Sequence, residues 1–193
     1  MANTNAPFGF RQQGGVPGAP SNFELFWRKI SGSDSTAVFN GSPVTSLSTG
    51  YIARSAPSTT VPIAGIAVAF GWNSIAAGGY RYFPYWTGST TDVASGDVDC
   101  AIINDPRATF VVQASSTAIS TSDVNALAQF VTATGNSLNG ISAETLGAID
   151  PTSSAYPFRI IAIYPNPSVD STLAYNQALV AFNFQDFKVL TGT

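Results

Sequence analysis

The stretch from Val98 to Gln113 constrains the fold of this chain more than any other. It contains two apolar runs of strand length on either side of the segment Asn104-Asp-Pro-Arg107. Proline presets φ at the second position of a type I turn, and an aspartate before it bonds back to the backbone. Apolar residues alternate on both sides of the turn, as Val98, Cys100 and Ile102 and then as Ala108, Phe110 and Val112. This pattern predicts a β-hairpin with one buried face inside an all-β domain.

The rest of the chain repeats short apolar runs separated by turn residues. We predict strands at residues 23–30, 37–39, 43–47, 61–72, 80–86, 158–164 and 177–189. Residues 117–134 fit either a helix or a turn followed by a strand, and their β-rich neighbourhood favours the strand. Residues 135–154 are polar and interrupted by glycine, which predicts a long surface excursion. Nine or ten strands of this kind predict an antiparallel sandwich or barrel of jelly-roll type.

The run from Val61 to Trp72 has the clearest alternation in the chain. Ile66, Val68, Phe70 and Trp72 would form a bulky face, whereas the residues between them are Ala67, Ala69 and Gly71. A face made of small residues predicts that another layer approaches it closely.

Residues 1–22 predict an extended N-terminal arm, followed by a single β domain over residues 23–193. Glycine and proline recur through this segment and oppose regular structure. Two phenylalanines are unusual in a solvated tail, so the arm either lies in a groove of a partner subunit or contacts its own domain. The residues predicted to anchor the arm are Pro7, Phe8, Phe10 and Arg11.

A second candidate surface is the aromatic run that begins at Tyr80. Pro84 within it confines this run to a sheet edge or a bulge. Aromatic side chains are common both at subunit interfaces and in β-sandwich cores, and they also stack on sugars. The candidate interface residues are Tyr80, Tyr82, Phe83, Tyr85 and Trp86.

Composition excludes several classes of function. The chain of 193 residues has no histidine, one cysteine and a net charge of −3. Catalytic sites that use histidine are therefore absent, and we expect no enzyme activity, metal or cofactor. Carboxylate pairs such as Asp97 with Asp99 are more typical of turns than of catalysis. No basic run follows a nucleic-acid backbone and no apolar run spans a membrane, so neither partner is expected. The absence of an export signal predicts synthesis in a host cytoplasm.

Charged residues make up only 10% of the chain, whereas an ordinary soluble domain has about 25%. Either a large part of the surface is covered by other protein, or the surface is solvated mainly by serine, threonine and asparagine.

Several segments, in order along the chain, are similar to those of one protein family. They are Met1–Arg11 with its Asn-Ala-Pro-Phe-Gly, Ile63–Phe70, Phe83-Pro-Tyr-Trp86, Asn104–Ala114, Ile119 with Asp123-Val124, and Phe158–Ile163. Together they resemble the virion structural proteins of tailed phages, which are commonly small, β-rich capsid decoration, or cement, proteins. The chain departs from that family at Gln12, where proline is common, and in its closing segment Phe184–Lys188.

The resemblance implies a non-enzymatic protein on the outer surface of an icosahedral capsid, with the major capsid protein as its partner. Symmetric assembly on such a shell implies a homo-oligomer, either a dimer or a trimer. The rival interpretation is a receptor-binding or carbohydrate-binding module on the virion surface that uses the aromatic run.

Overall fold

The structure is a computed structural model that describes residues 2–14, 24–94, 96–152 and 156–188. Within these ranges the chain is nearly all β, with three short 3-10 turns at Thr90–Asp92, Thr121–Asp123 and Asp186–Lys188. No helix among the described residues is long and apolar enough to cross a membrane. The strands are β1 (Arg11–Gly14), β2 (Phe26–Ile30), β3 (Val38–Phe39), β4 (Pro43–Ser46), β5 (Ile52–Arg54), β6 (Gly65–Ser74), β7 (Gly79–Phe83), β8 (Tyr85–Trp86), β9 (Val98–Ile103), β10 (Thr109–Gln113), β11 (Leu127–Val131), β12 (Thr145–Asp150), β13 (Phe158–Ile163) and β14 (Gln177–Phe182).

The strands form two large antiparallel sheets that pack as a sandwich, which confirms the predicted fold class. Sheet A has the order β1-β10-β14-β13-β11-β12. Sheet B has the order β2-β9-β6-β4-β5, and β7 also pairs with β6. Strands β3 and β8 form a separate two-stranded sheet.

The central stretch makes the predicted turn, but its two strands do not form a hairpin. Ala108 N donates to Asp105 O at 3.0 Å, and Arg107 N donates to Asp105 Oδ1 at 2.9 Å. The turn connects the two sheets, because β9 lies in sheet B and β10 in sheet A. The alternation correctly predicted which residues share a face. It could not show which strands pair, so the hairpin prediction is wrong.

Two hydrophobic cores lie on opposite faces of sheet B. The first fills the space between the sheets and includes Ile66, Ile103, Phe110, Phe130, Phe158, Val180 and Phe182. The second lies under β3 and β8 and includes Ile30, Val44, Ile52, Phe70, Trp72, Trp86, Val98, Cys100 and Ile102. Sheet B curls around the second core, so that β2 approaches β5 and Arg28 Nη2 bonds to Ser46 Oγ at 3.4 Å.

A bulge in β6 overturns the prediction of one bulky face. The register against β9 shifts between Ala67 and Ala69. As a result Ile66 faces the first core, whereas Phe70 faces the second. An inserted residue reverses the alternation of side chains, and nothing in the sequence marked its position.

The described part of the N-terminal segment packs on its own domain. Phe10 is 2% exposed and its ring stacks on Phe158 with centroids 4.3 Å apart. Gly9 has φ of +68°, and a Cβ there would lie 2.7 Å from the Cβ of Ser142. Strand β1 continues the segment and pairs with β10. Phe10 is therefore a core residue, and its prediction as an anchor for another subunit is wrong. Residues 15–22 of the predicted arm lie outside the described residues.

The remaining strand predictions have mixed outcomes. Residues 117–134 form a 3-10 turn and strand β11, as favoured. The predicted surface excursion at 135–154 is wrong in part, because β12 lies within it at an edge of sheet A. The last strand ends at Phe182, and the chain then enters a 3-10 turn at Asp186. Residues 189–193 lie outside the described residues.

Candidate surface sites on opposite faces of strand β2

Strand β2 lies at one end of the order of sheet B and places large aromatic side chains on both of its faces. Successive residues of a strand point to opposite sides, so Phe26 and Trp27 lie on different surfaces. Phe26 is 49% exposed and Trp27 is 48% exposed. Two neighbouring half-exposed aromatic side chains at one sheet edge indicate two separate candidate contact sites.

We call the first surface the end patch, and define it as Leu25, Phe26, Pro106 and Phe187. These residues line one shallow groove, together with the polar residues Glu24, Asn104 and Asp105, at the end of the sandwich where the chain passes from β9 to β10. Phe187 is 63% exposed and lies on the 3-10 turn after β14. The predicted Asp-Pro turn therefore forms one wall of this surface in addition to joining the two sheets.

We call the second surface the aromatic platform, and define it as Trp27, Tyr80 and Tyr82 with Lys29 and Asp99. Cross-strand pairing builds it, because Lys29 pairs with Asp99, Asp99 with Gly71 and Gly71 with Tyr82. The Trp27 and Tyr82 rings approach to a centroid distance of 6.2 Å, and Tyr82 is 71% exposed. This surface lies on the same face of sheet B as the first core, beyond the part of that face that packs against sheet A.

Small residues under the platform let its aromatic side chains lie across the sheet. The Tyr80 side chain crosses Gly71 so closely that a Cβ there would collide with the tyrosine hydroxyl. Ala69 and Ala101 continue the same row of small residues. The close layer predicted from the small side of β6 is therefore, at Gly71, an aromatic side chain and not another sheet.

A polar network holds one side of the platform. Tyr80 Oη donates to Asp99 Oδ2 at 2.8 Å, and Lys29 Nζ lies 3.4 Å from Asp99 Oδ1. Burial raises the pKa of Tyr80 well above its ordinary value, and the Asp99 carboxylate, which accepts a hydrogen bond from the Tyr80 hydroxyl, raises it further. Tyr80 therefore keeps its proton at all physiological pH values and acts as a fixed donor to Asp99.

The predicted aromatic run divides between the surface and the core. Tyr80 and Tyr82 are exposed, but Trp86 is fully buried and Phe83 stacks on Trp72 with centroids 3.8 Å apart. Tyr85 stacks on Phe39 at 4.9 Å. Trp86 is therefore a core residue, and its prediction as an interface residue is wrong. Phe83 and Tyr85 are half-buried against the second core of their own domain, and their role at an interface stays a prediction.

The other predicted anchors remain at least partly accessible. Pro7 and Phe8 are half-buried, and Arg11 is exposed with its guanidinium 5.1 Å from the centre of the Phe8 ring. Phe8 and Arg11 line a groove that also contains Leu25 of the end patch. Their side of the molecule therefore adjoins the end patch.

Two carboxylates near turns, Asp92 and Asp97, each have local hydrogen-bond donors. Asp92 accepts bonds from Trp72 Nε1 at 3.0 Å and Ala76 N at 2.8 Å, whereas Asp97 faces Tyr51 Oη at 3.3 Å. Among the described residues, no three or more histidine, cysteine, aspartate or glutamate side chains form a group that could hold a metal ion. Asp92 fixes the loop between β6 and β7.

One buried ion pair has no counterpart in the sequence-based predictions. Arg54 Nη2 lies 2.6 Å from Glu144 Oε1, and Ser42 Oγ donates to Glu144 Oε2 at 3.0 Å. Burial raises the pKa of Glu144, and the nearby Arg54 opposes that rise. The pair joins β5 of sheet B to the segment before β12 of sheet A, so its role is to hold the two sheets together.

No sequence-based prediction placed Phe26, Trp27 and Phe187 on the surface. One signal for Trp27 was present, because Lys29 shares its face and a lysine rarely lies on a buried face. Phe187 had no comparable signal, since its exposure depends on where β14 ends.

Comparisons with protein-family models, with curated proteins and with solved structures give no match. The surface chemistry of the molecule is therefore the basis for inferring a function.

Proposed function

We propose that the protein is a capsid decoration protein that binds the outer face of a phage icosahedral shell. The observation that carries the proposal is the end patch, where Leu25, Phe26 and Phe187 expose apolar side chains around one groove. Exposed apolar surface of this kind is typical of a protein–protein contact site. The partner is the major capsid protein, the protein acts in the virion, and it catalyses no reaction.

The protein stabilises the shell because it binds the assembled shell and not the separate capsid subunits. A ligand that binds one state of an equilibrium and not the other shifts that equilibrium by mass action. The groove lies beside the junction of two neighbouring capsid subunits, so that its walls contact both. The low content of charge agrees with a surface that is partly covered by protein.

The end patch is small, and this sets a limit on the affinity of one copy. Full burial of a phenylalanine contributes about 2 kcal/mol before the costs of ordering are subtracted. Phe26 and Phe187 together therefore give only weak attachment. A symmetric dimer or trimer engages several sites at once and raises the avidity without any new type of contact.

The proposal is tested by mixing purified protein with particles that lack it and measuring the bound fraction by co-sedimentation. The double variant Phe26→Ser/Phe187→Ser removes the rings at two half-exposed or exposed positions, so the fold should persist. We expect its binding to fall at least about tenfold, because both apolar contacts are lost.

Leu138→Ser is the matched control, because Leu138 is 95% exposed and lies outside the end patch. This variant should bind like the wild-type protein. Undiminished binding of the double variant would contradict the assignment of the end patch, and equal losses in both variants would show that the effect is not specific to it.

A further inference from the structure

We propose that the aromatic platform is a binding site for a neutral glycan. The site lies on the face of sheet B opposite to Phe26. The inference does not depend on attachment to a capsid, because its residues and its ligand are different.

The first requirement of a sugar site is a flat aromatic surface that water reaches. A pyranose ring has a face of C–H groups, which stacks on the exposed face of tryptophan or tyrosine. Trp27 and Tyr82 supply two such rings, inclined at 57° to each other with centroids 6.2 Å apart. Tyr80 packs edge-on against Tyr82, with centroids 5.5 Å apart, and fixes its position.

The second requirement is a small set of polar groups at the edge of the rings. Asp99 is held by Tyr80 Oη at 2.8 Å and by Lys29 Nζ at 3.4 Å, so its position is set before a ligand arrives. Side chains of Lys29 and Asp99 are 58% and 32% exposed. An adjacent acceptor and donor match a pair of neighbouring sugar hydroxyls, one of which donates to the carboxylate while the other accepts from the ammonium group.

The charge of the site selects a neutral ligand. One carboxylate and one ammonium group cancel, so neither a phosphate nor an acidic sugar gains net attraction. An unpaired basic cluster, which a nucleic acid would require, is not part of the platform. Among the described residues β2 pairs only with β9, so a peptide that adds a strand would use the other edge of β2, whereas the platform extends over four strands, from β2 across β9 and β6 to β7.

The test uses the full chain on an array of neutral and acidic glycans, followed by tryptophan-fluorescence titration with the best neutral oligosaccharide. We expect binding to neutral hexopyranose glycans. Trp27→Ala and Tyr82→Ala should each weaken binding at least about tenfold, as the loss of one stacked ring predicts. Asp99→Asn should weaken it as well, through loss of the charged acceptor.

Phe26→Ser is the matched control, because it removes an equally exposed aromatic from the opposite face of the same strand. It should leave glycan affinity unchanged even if it reduces binding to particles, which separates this inference from the proposed function. The inference is overturned if no neutral glycan binds, if only acidic glycans bind, or if Trp27→Ala and Tyr82→Ala both bind like the wild-type protein.

Discussion

At the scale of single residues, polar side chains fix the position of the surfaces. Glu144 pairs with Arg54 across the two sheets, and Asp92 accepts bonds from the loop that leads into β7. Because β7 carries Tyr80 and Tyr82, the carboxylate of Asp92 also supports the aromatic platform. These aspartates and glutamates are structural, although their residue types alone allowed a catalytic pair.

Asp92 predicts a defined dependence of stability on pH. Bonds from Ala76 N, and then from Trp72 and Ser74, lower the pKa of its carboxyl group in the folded state. A lowered folded-state pKa gives stability that is fully present above the unfolded-state pKa, near 4, and is lost as the pH falls through the folded-state value. We expect the wild-type protein to be more stable than Asp92→Asn at neutral pH, and this difference to shrink below about pH 4.

Urea unfolding at a series of pH values from about 6 to about 2.5 measures this difference. Asp97→Asn is the control, since Asp97 accepts a longer hydrogen bond from Tyr51 Oη, at 3.3 Å. A gap between wild-type and Asp92→Asn that stays constant over the whole series would contradict the role given to these hydrogen bonds.

At the scale of elements, the N-terminal segment shows what a sequence pattern can and cannot predict. Glycine and proline predicted an extended segment, but they could not show where its phenylalanines pack. Phe10 is in the first core and Phe8 is half-buried at the surface, although both stand in the same local sequence. The difference is set by contacts with Phe158 and Ser142, which are distant in the chain.

We predict that Phe10→Ala lowers the free energy of unfolding by about 3–4 kcal/mol, because it leaves a cavity in the first core. Phe8→Ala is the matched control and should cost less than about 1 kcal/mol, since its side chain is only half-buried. Chemical denaturation measures both values. Similar small losses in the two variants would show that the N-terminal segment is not held in the core.

Contacts between residues that are distant in the chain also decided which of the other strand predictions were right. Alternation correctly grouped Val98, Cys100 and Ile102 on one face. Pairing partners and bulges depend on contacts between distant strands, so the hairpin prediction failed and the bulge in β6 was missed. The aromatic run divided between core and surface because alternation along β7 puts Tyr82 and Phe83 on opposite faces, and because Tyr85 and Trp86 belong to the separate strand β8.

At the scale of the whole molecule, strand β2 separates two surfaces with different chemistry. The end patch is apolar and suits attachment to a protein shell, whereas the platform combines aromatic rings with a balanced pair of charges. In the proposed function, the end patch would attach the protein to the capsid and the platform would face the medium. The strand predicted from the sequence already places Phe26 and Trp27 on opposite faces, but only the structure shows that both side chains are half-exposed.

The most direct measurement is a cryo-electron microscopy map of particles saturated with the protein, at a resolution that shows side chains. We expect Phe26 and Phe187 to contact neighbouring major capsid subunits, while Trp27 and Tyr82 face the solvent. A map in which the aromatic platform is buried against the shell and the end patch faces outward would contradict it.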